Sequence, residues 1–215
     1  METAVRVLLL CLISVLCVCN WASQGYCAEK THKEYYPDGK LKAVYPENDA
    51  GMLDGIVKKY YPSGKLQSEE SYIKNVKNGI FKSYYKSGKL EEEANYKDGK
   101  REGIGKLYYE SGKLKLEANY KAGMRDGITK VYYESGKLQI EDNYKEGKLE
   151  GIRKFYYESG KLQAEVNCKD NKLDGITRSY YESGKLEGET NYKDGKKLSE
   201  TCYDEQGKTI QCHEV

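Results

Sequence analysis

Several residue types are nearly missing from this 215-residue chain. It has one Trp, two Phe, two His and three Pro. With so few aliphatic residues, a thick globular core is excluded. The two His, at positions 32 and 213, lie at opposite ends of the chain. No Ser-His-Asp or Cys-His arrangement can be assembled from them, and no zinc-ligand spacing occurs. Net charge is only +2, with Lys and Glu interleaved, so the clustered one-signed footprint of a nucleic-acid binder is also missing. A catalytic site, a metal, a cofactor and a nucleic-acid partner are therefore not expected.

Long apolar runs are absent after the first 25 or so residues. There, Arg6 precedes the short run Val7 to Cys19, which suits a secretory signal and is short for a membrane span. Residues 1–28 are read as a signal peptide cleaved near 25–28, with a lipid-modified cysteine and a retained anchor as the rival readings, and 29–34 as a short linker. The mature chain is expected to be exported, periplasmic or secreted. Of the seven Cys, 11, 17 and 19 leave with the signal. Cys168 takes a place that holds Tyr in other repeats and reads as a small apolar substitute. Cys202 and Cys212 flank a turn glycine and are candidates for a terminal disulfide.

What the chain does have is 22 Tyr and 22 Gly at fixed spacing. YYESGKL occurs unchanged from Tyr108, Tyr132, Tyr156 and Tyr180, with near copies from Tyr35, Tyr60 and Tyr84. After a first step of 25 the period is 24, and Ile56 to Ile176 and Glu69 to Glu189 keep it. Glycine recurs too often for helix, and no 3.6-residue period is sustained. The array predicted over 35–215 is all-β: an elongated antiparallel meander of tandem 24-residue hairpins, about 14 strands and roughly 65 Å long, with atypical terminal caps.

Turn chemistry follows from residue order. Pro62-Ser63-Gly64 suits a type I turn closed by a left-handed residue, with Tyr61 opposite Lys65 and Tyr60 opposite Leu66. Gly64, Gly88, Gly112, Gly136, Gly160 and Gly184 are the structural turn glycines. A second turn, Lys-Asp-Gly or Lys-Glu-Gly, accepts Asn at Asn75 and Asn171, which implies positive φ there. Alternation through the first turn predicts a packed face of Ile56, Lys58, Tyr60, Leu66 and Tyr72. The polar face would carry Tyr61, Lys65, Glu69 and Ser71. On that face the second Tyr of each pair (Tyr61, Tyr85, Tyr109, Tyr133, Tyr157, Tyr181) forms the candidate binding row.

The unit Gly-Ile-x-Lys-x-Tyr-Tyr-Glu-Ser-Gly-Lys-Leu-x-x-Glu-x-Asn-Tyr-Lys-Asp-Gly-Lys resembles the MORN repeat in its bacterial variant, over about Tyr35 to Lys197. The resemblance implies hairpin units in a long curved sheet and a non-catalytic scaffold. It also implies protein or cell-envelope partners, with a phospholipid surface as an alternative. Many such bacterial proteins are labelled antitoxin-like, a role that fits poorly with a signal peptide. A cell-wall glycan is a further alternative from the Tyr-Tyr and turn-Gly pattern, although the repeats lack the Trp typical of glycan-binding modules.

Overall fold

The computed structural model describes residues 30–212, so the expected signal peptide lies outside the described residues. The described residues form one antiparallel sheet of nineteen strands. Neighbours in sequence are neighbours in the sheet. The strand Gly55–Tyr60 pairs with Leu66–Ile73, which pairs with Val76–Tyr84, and so on to Lys196–Tyr203 and the two-residue Thr209–Ile210. Part of the expected linker is ordered: Lys30–Tyr35 is a strand paired with Leu41–Glu47. The count exceeds 14 because the terminal strands add to it and because three strands are cut into two pieces near Gly103, Gly151 and Gly175.

Two hairpins alternate. In the first, the Tyr61 N–H donates to the Lys65 carbonyl and the Gly64 N–H to the Tyr61 carbonyl, both at 2.8 Å. Gly64 has φ +83°, and its five counterparts lie between +91° and +93°. This is the type I turn closed by a left-handed glycine. The second hairpin is a two-residue primed turn. Asp98 and Gly99 have φ +50° and +76°, and Asn75 and Asn171 have +68° and +67°. Its first position is also left-handed where it holds Lys74, Ala122 or Glu146.

The faces differ from the expectation. Tyr60 pairs with Leu66, but Lys59 pairs with Ser68, so the register slips by one residue at Gln67. A bulge of this kind inverts the alternation of everything that follows on its strand. Glu69 and Ser71 therefore join Ile56 and Lys58, while Ser68, Glu70 and Tyr72 join Val57. The same slip recurs after Tyr84, Tyr108, Tyr132, Tyr156 and Tyr180.

The Val57 side is the buried, inner face. Ala43, Val57, Ala94, Ala118, Cys168, Ser68, Glu70, Thr129 and Asp142 are its buried members. The expected packed ladder of Ile is on the outer face, where Ile56, Ile80, Ile104, Ile128, Ile152 and Ile176 are 42–51% exposed. Beside it runs a charge ladder. Lys58, Glu69, Lys82, Glu93, Lys106, Glu117, Lys130, Glu141, Lys154, Glu165, Arg178 and Glu189 face one another across successive strands, alternating in sign throughout.

Candidate binding surface

The inner face is a single sheet surface without a second layer among the described residues, so large side chains must fold over small ones to bury it. Tyr120 shows how: a Cβ added to Gly105 would stand 3.1 Å from its ring. The ring therefore lies on the bare backbone of the neighbouring strand. Tyr72, Tyr96, Tyr120 and Tyr144 occupy equivalent positions in four successive units.

Cations are interleaved with these rings. Lys77 Nζ lies 5.9 Å from the Tyr72 centroid and 4.8 Å from that of Tyr96. The Arg101 guanidinium lies 5.8 Å from Tyr96 and 5.4 Å from Tyr120, and Arg125 lies 5.2 Å from Tyr144. Arg101 Nε and Arg125 Nη1 also donate to the Tyr96 and Tyr144 hydroxyls, each at 3.1 Å. Such stacks join charge attraction to coverage of apolar surface. The pattern stops where the sequence changes: Cys168 stands in place of Tyr, and Leu149 and Leu173 stand in place of the cations on either side. Lys77 and Arg101 each stand between two such rings, and on either side of Cys168, where one of the two rings is missing, the sequence has Leu.

Carboxylates balance part of this charge. Glu70 accepts from Lys59 Nζ at 2.9 Å and from the Tyr72 hydroxyl at 2.9 Å, and Lys77 Nζ lies 3.0 Å away. Burial pushes its carboxyl up, but those hydrogen bonds outweigh burial and hold it at about 2. Burial and the same carboxylate push the Tyr72 phenol to about 12. Glu92 is paired with Arg101. Asp142 behaves differently: burial pushes its carboxyl up, opposed by Arg153, Arg125 and Tyr144. Arg153 Nε lies 2.9 Å from Asp142 Oδ1. Neither atom makes an aligned hydrogen bond, and Thr129 Oγ1 and Thr177 Oγ1 are also buried without one.

The second tyrosine of each pair belongs to this face, not to the side of Glu69 and Ser71. Each is half-buried, and its hydroxyl donates to the main-chain carbonyl of the first tyrosine one unit on. Tyr61 reaches Tyr84, Tyr85 reaches Tyr108, Tyr109 reaches Tyr132, Tyr133 reaches Tyr156 and Tyr157 reaches Tyr180. Tyr36 reaches Tyr60 in the same way, and Tyr181 reaches Tyr203, the whole set spanning 2.6–2.8 Å. Burial pushes the phenols of Tyr61, Tyr85, Tyr157 and Tyr181 up, with nearby carboxylates adding to the effect. The row read as a binding surface is thus also a row of latches between units. Two of its members still border cavities. Tyr61 lines one of about 250 Å³ with Lys59, Ser68, Glu70 and Phe81. Tyr181 lines one of about 320 Å³ with Thr190, Glu200 and Cys202.

Cys202 and Cys212 form a disulfide with Cα atoms 5.3 Å apart. Glu200 approaches both sulfurs closely enough for a three-ligand metal group, but the sulfurs are committed to each other. Cys168 is a free, buried thiol. The sequence reading missed the inner-face cations. Their signal is the residue after each second-turn lysine or its equivalent, which is Lys or Arg at 77, 101 and 125, where Tyr stands on both sides, and Leu at 149 and 173, beside Cys168.

An open sheet of identical hairpins, joined by bonds repeated at a fixed interval, defines a β-repeat protein of the one-dimensional kind. The family model described as MORN repeat variant matches seven segments: 28–46, 53–74, 77–98, 101–122, 125–146, 149–170 and 173–194. The chain belongs to that MORN repeat-variant family. No curated protein matches it.

Proposed function

We propose that the protein is a non-catalytic, exported scaffold whose inner sheet face holds an extended segment of a protein partner. One observation carries this reading. Thr129 Oγ1 and Thr177 Oγ1 are withdrawn from water without a hydrogen-bond partner, on the same face as the Asp142–Arg153 ion pair, whose facing atoms lie 2.9 Å apart. A buried polar atom left unmatched costs about 1–3 kcal/mol, so a face that carries such atoms gains from a partner able to match them. A peptide main chain supplies both donors and acceptors at the spacing of a strand and would satisfy them. The cation–tyrosine stack offers further contacts at a unit interval, and many weak equivalent contacts add to useful avidity. The disulfide supports an oxidising compartment.

The test is capture from the native envelope by the wild-type chain and by Asp142→Leu and Arg125→Leu variants, with anionic vesicles and a glycan array as parallel arms. Loss of a captured protein in both variants, while their melting temperatures show them folded, supports the reading. Retention in both, or binding to vesicles or glycans alone, overturns it.

A further inference from the structure

The outer face has a symmetry that the inner face lacks. Its charge ladder has twelve rungs, beginning with Lys58 and ending with Glu189, and the sign alternates at every strand. An even, strictly alternating row is complementary to itself under a two-fold axis. With the axis parallel to the strands and midway between Glu117 and Lys130, rung one meets rung twelve, two meets eleven, and so on. Every cation then faces a carboxylate of the second copy. Glu117 meets Lys130, and Lys106 meets Glu141, each once in either direction.

The neighbouring row obeys the same operation. Along it, exposed Ile alternates with Ser71 or Asn: Ile104 pairs with Asn119, and Ile128 with Asn143. The Asn side chains lie down on the sheet, as Asn119 Nδ2 does when it donates to the Ile128 carbonyl at 2.9 Å. Ile therefore stands proud and Asn leaves a gap. Under the two-fold axis Ile128 of one copy enters the gap at Asn119 of the other, between that copy's Ile104 and Ile128. Apolar knobs and charges match under one operator, which is the requirement for an isologous contact.

We infer that the outer face is a self-association surface and that its occupant is a second copy of this chain, packed face to face about that axis. The area is adequate. Eight central rungs at about 4.8 Å and three rows of side chains, the third being the Tyr–Leu pairs such as Tyr108–Leu114 and Tyr132–Leu138, cover roughly 40 Å by 20 Å. That is about 800 Å² a side, the size of a standard stable interface. Each sheet is twisted, so the two copies diverge away from the axis and the central rungs carry most of the contact. This use of the outer face is independent of a partner held on the inner one.

The experiment is sedimentation equilibrium on protein expressed from the full-length coding sequence, at 1–100 µM. The wild type is expected to sediment with the mass of two chains. Glu117→Lys and Lys130→Glu each set like charges against each other twice across the axis, and each is expected to weaken the dimer at least tenfold. Mixed in equal amounts, the two variants place opposite charges at both central contacts again. The mixture is expected to recover the double mass, which repair within one chain cannot produce. Ile128→Lys changes a side chain that is 48% exposed, so it is expected to fold and to run as a monomer. A wild type that stays monomeric at 100 µM, a mixture that does not re-pair, or a folded Ile128→Lys variant that remains dimeric overturns the proposal. Asp142→Leu, on the other face, is expected to leave the mass unchanged, which separates failure here from failure of partner binding.

Discussion

Gly105 and Tyr120 share one volume, and Arg153 and Cys168 share the equivalent volume two units later. In the first pair the small residue lies under the large ring, with only 3.1 Å for an added Cβ. In the second pair the strand residue is the large one, and Tyr has become Cys. Burial pushes the Cys168 thiol up, which leaves it an inert apolar filler rather than a nucleophile. Cys168→Tyr alone is expected to destabilise by about 1–3 kcal/mol, the usual range for overfilling a packed site. Combined with Arg153→Gly it is expected to cost less than the sum of the two single changes. A double-mutant cycle on thermal or denaturant melts reads that coupling, and strict additivity would show that the two sites do not share space.

Glu70 supplies the pH dependence. Its folded carboxyl lies at about 2, below its ordinary 4.5. The stabilisation is therefore fully present above the unfolded value and is lost as pH falls from 4.5 towards 2. At about 1.4 kcal/mol per pH unit it is on the order of 3 kcal/mol. Glu70→Gln is expected to flatten the stability profile in that window, as read by urea melts at stepped pH.

At the scale of the hairpin, the turns were legible and the faces were not. Gly, and Asn in its place, recur where φ must be positive, so composition at a single position announces the backbone. The bulge at Gln67 has no such mark. Gln67, Glu91, Lys115, Gln139, Gln163 and Glu187 are polar residues like their neighbours, and one uncounted residue reverses the whole following strand. That slip moved Ile56 outward, Tyr72 inward, and Tyr61 away from Glu69. The inner cations were hidden for a different reason: a Lys or Arg in a Lys-rich repeat looks like solvated surface until its tyrosine neighbours are placed.

The turn assignment makes its own prediction. Gly136, at φ +93°, cannot accept a β-branched residue without strain, so Gly136→Val is expected to cost more than about 1 kcal/mol. Gly147→Asn is expected to be neutral or stabilising. Asn75 Oδ1 and Asn171 Oδ1 accept from the Leu53 and Leu149 N–H groups at 2.7 and 2.8 Å, a bond between units that glycine cannot make. Paired thermal melts check both, and equal loss in the two variants would show the turns to be misassigned.

At the scale of the whole array, stability is carried from unit to unit. The tyrosine latches are one set of ties. A second set stacks the primed turns, as when the Gly147 N–H donates to the Arg125 carbonyl and the Gly195 N–H to the Leu173 carbonyl. Tyr133→Phe removes one latch and leaves the Tyr156 carbonyl short of a partner, at an expected cost of about 1 kcal/mol. Tyr132→Phe removes no latch and is expected to be nearly neutral. In a one-dimensional array the loss stays local, so hydrogen exchange is expected to rise in the units flanking residue 133 and not at the ends. A larger effect from Tyr132→Phe would mean that the latch does not hold the units together.

The latch closes after Tyr181, because the next place holds Asp204, whose carboxylate accepts from the Gln206 and Lys208 N–H groups within its own turn. Every bond between units therefore refers to a neighbour and never to a position counted from either end. Excising residues 133–156 would join Tyr132 to Tyr157 and restore an unbroken Tyr-Tyr-Glu-Ser-Gly-Lys-Leu. Tyr109 would keep its carbonyl at Tyr132, and Tyr157 its own at Tyr180. The same cut removes one carboxylate rung, Glu141, and one cationic rung, Lys154, so ten rungs would remain, still even and still alternating. Copy number is thus a free variable for this molecule: whole units can be added or removed at the repeated YYESGKL stretches, lengthening or shortening a ruler without rewriting its graduations.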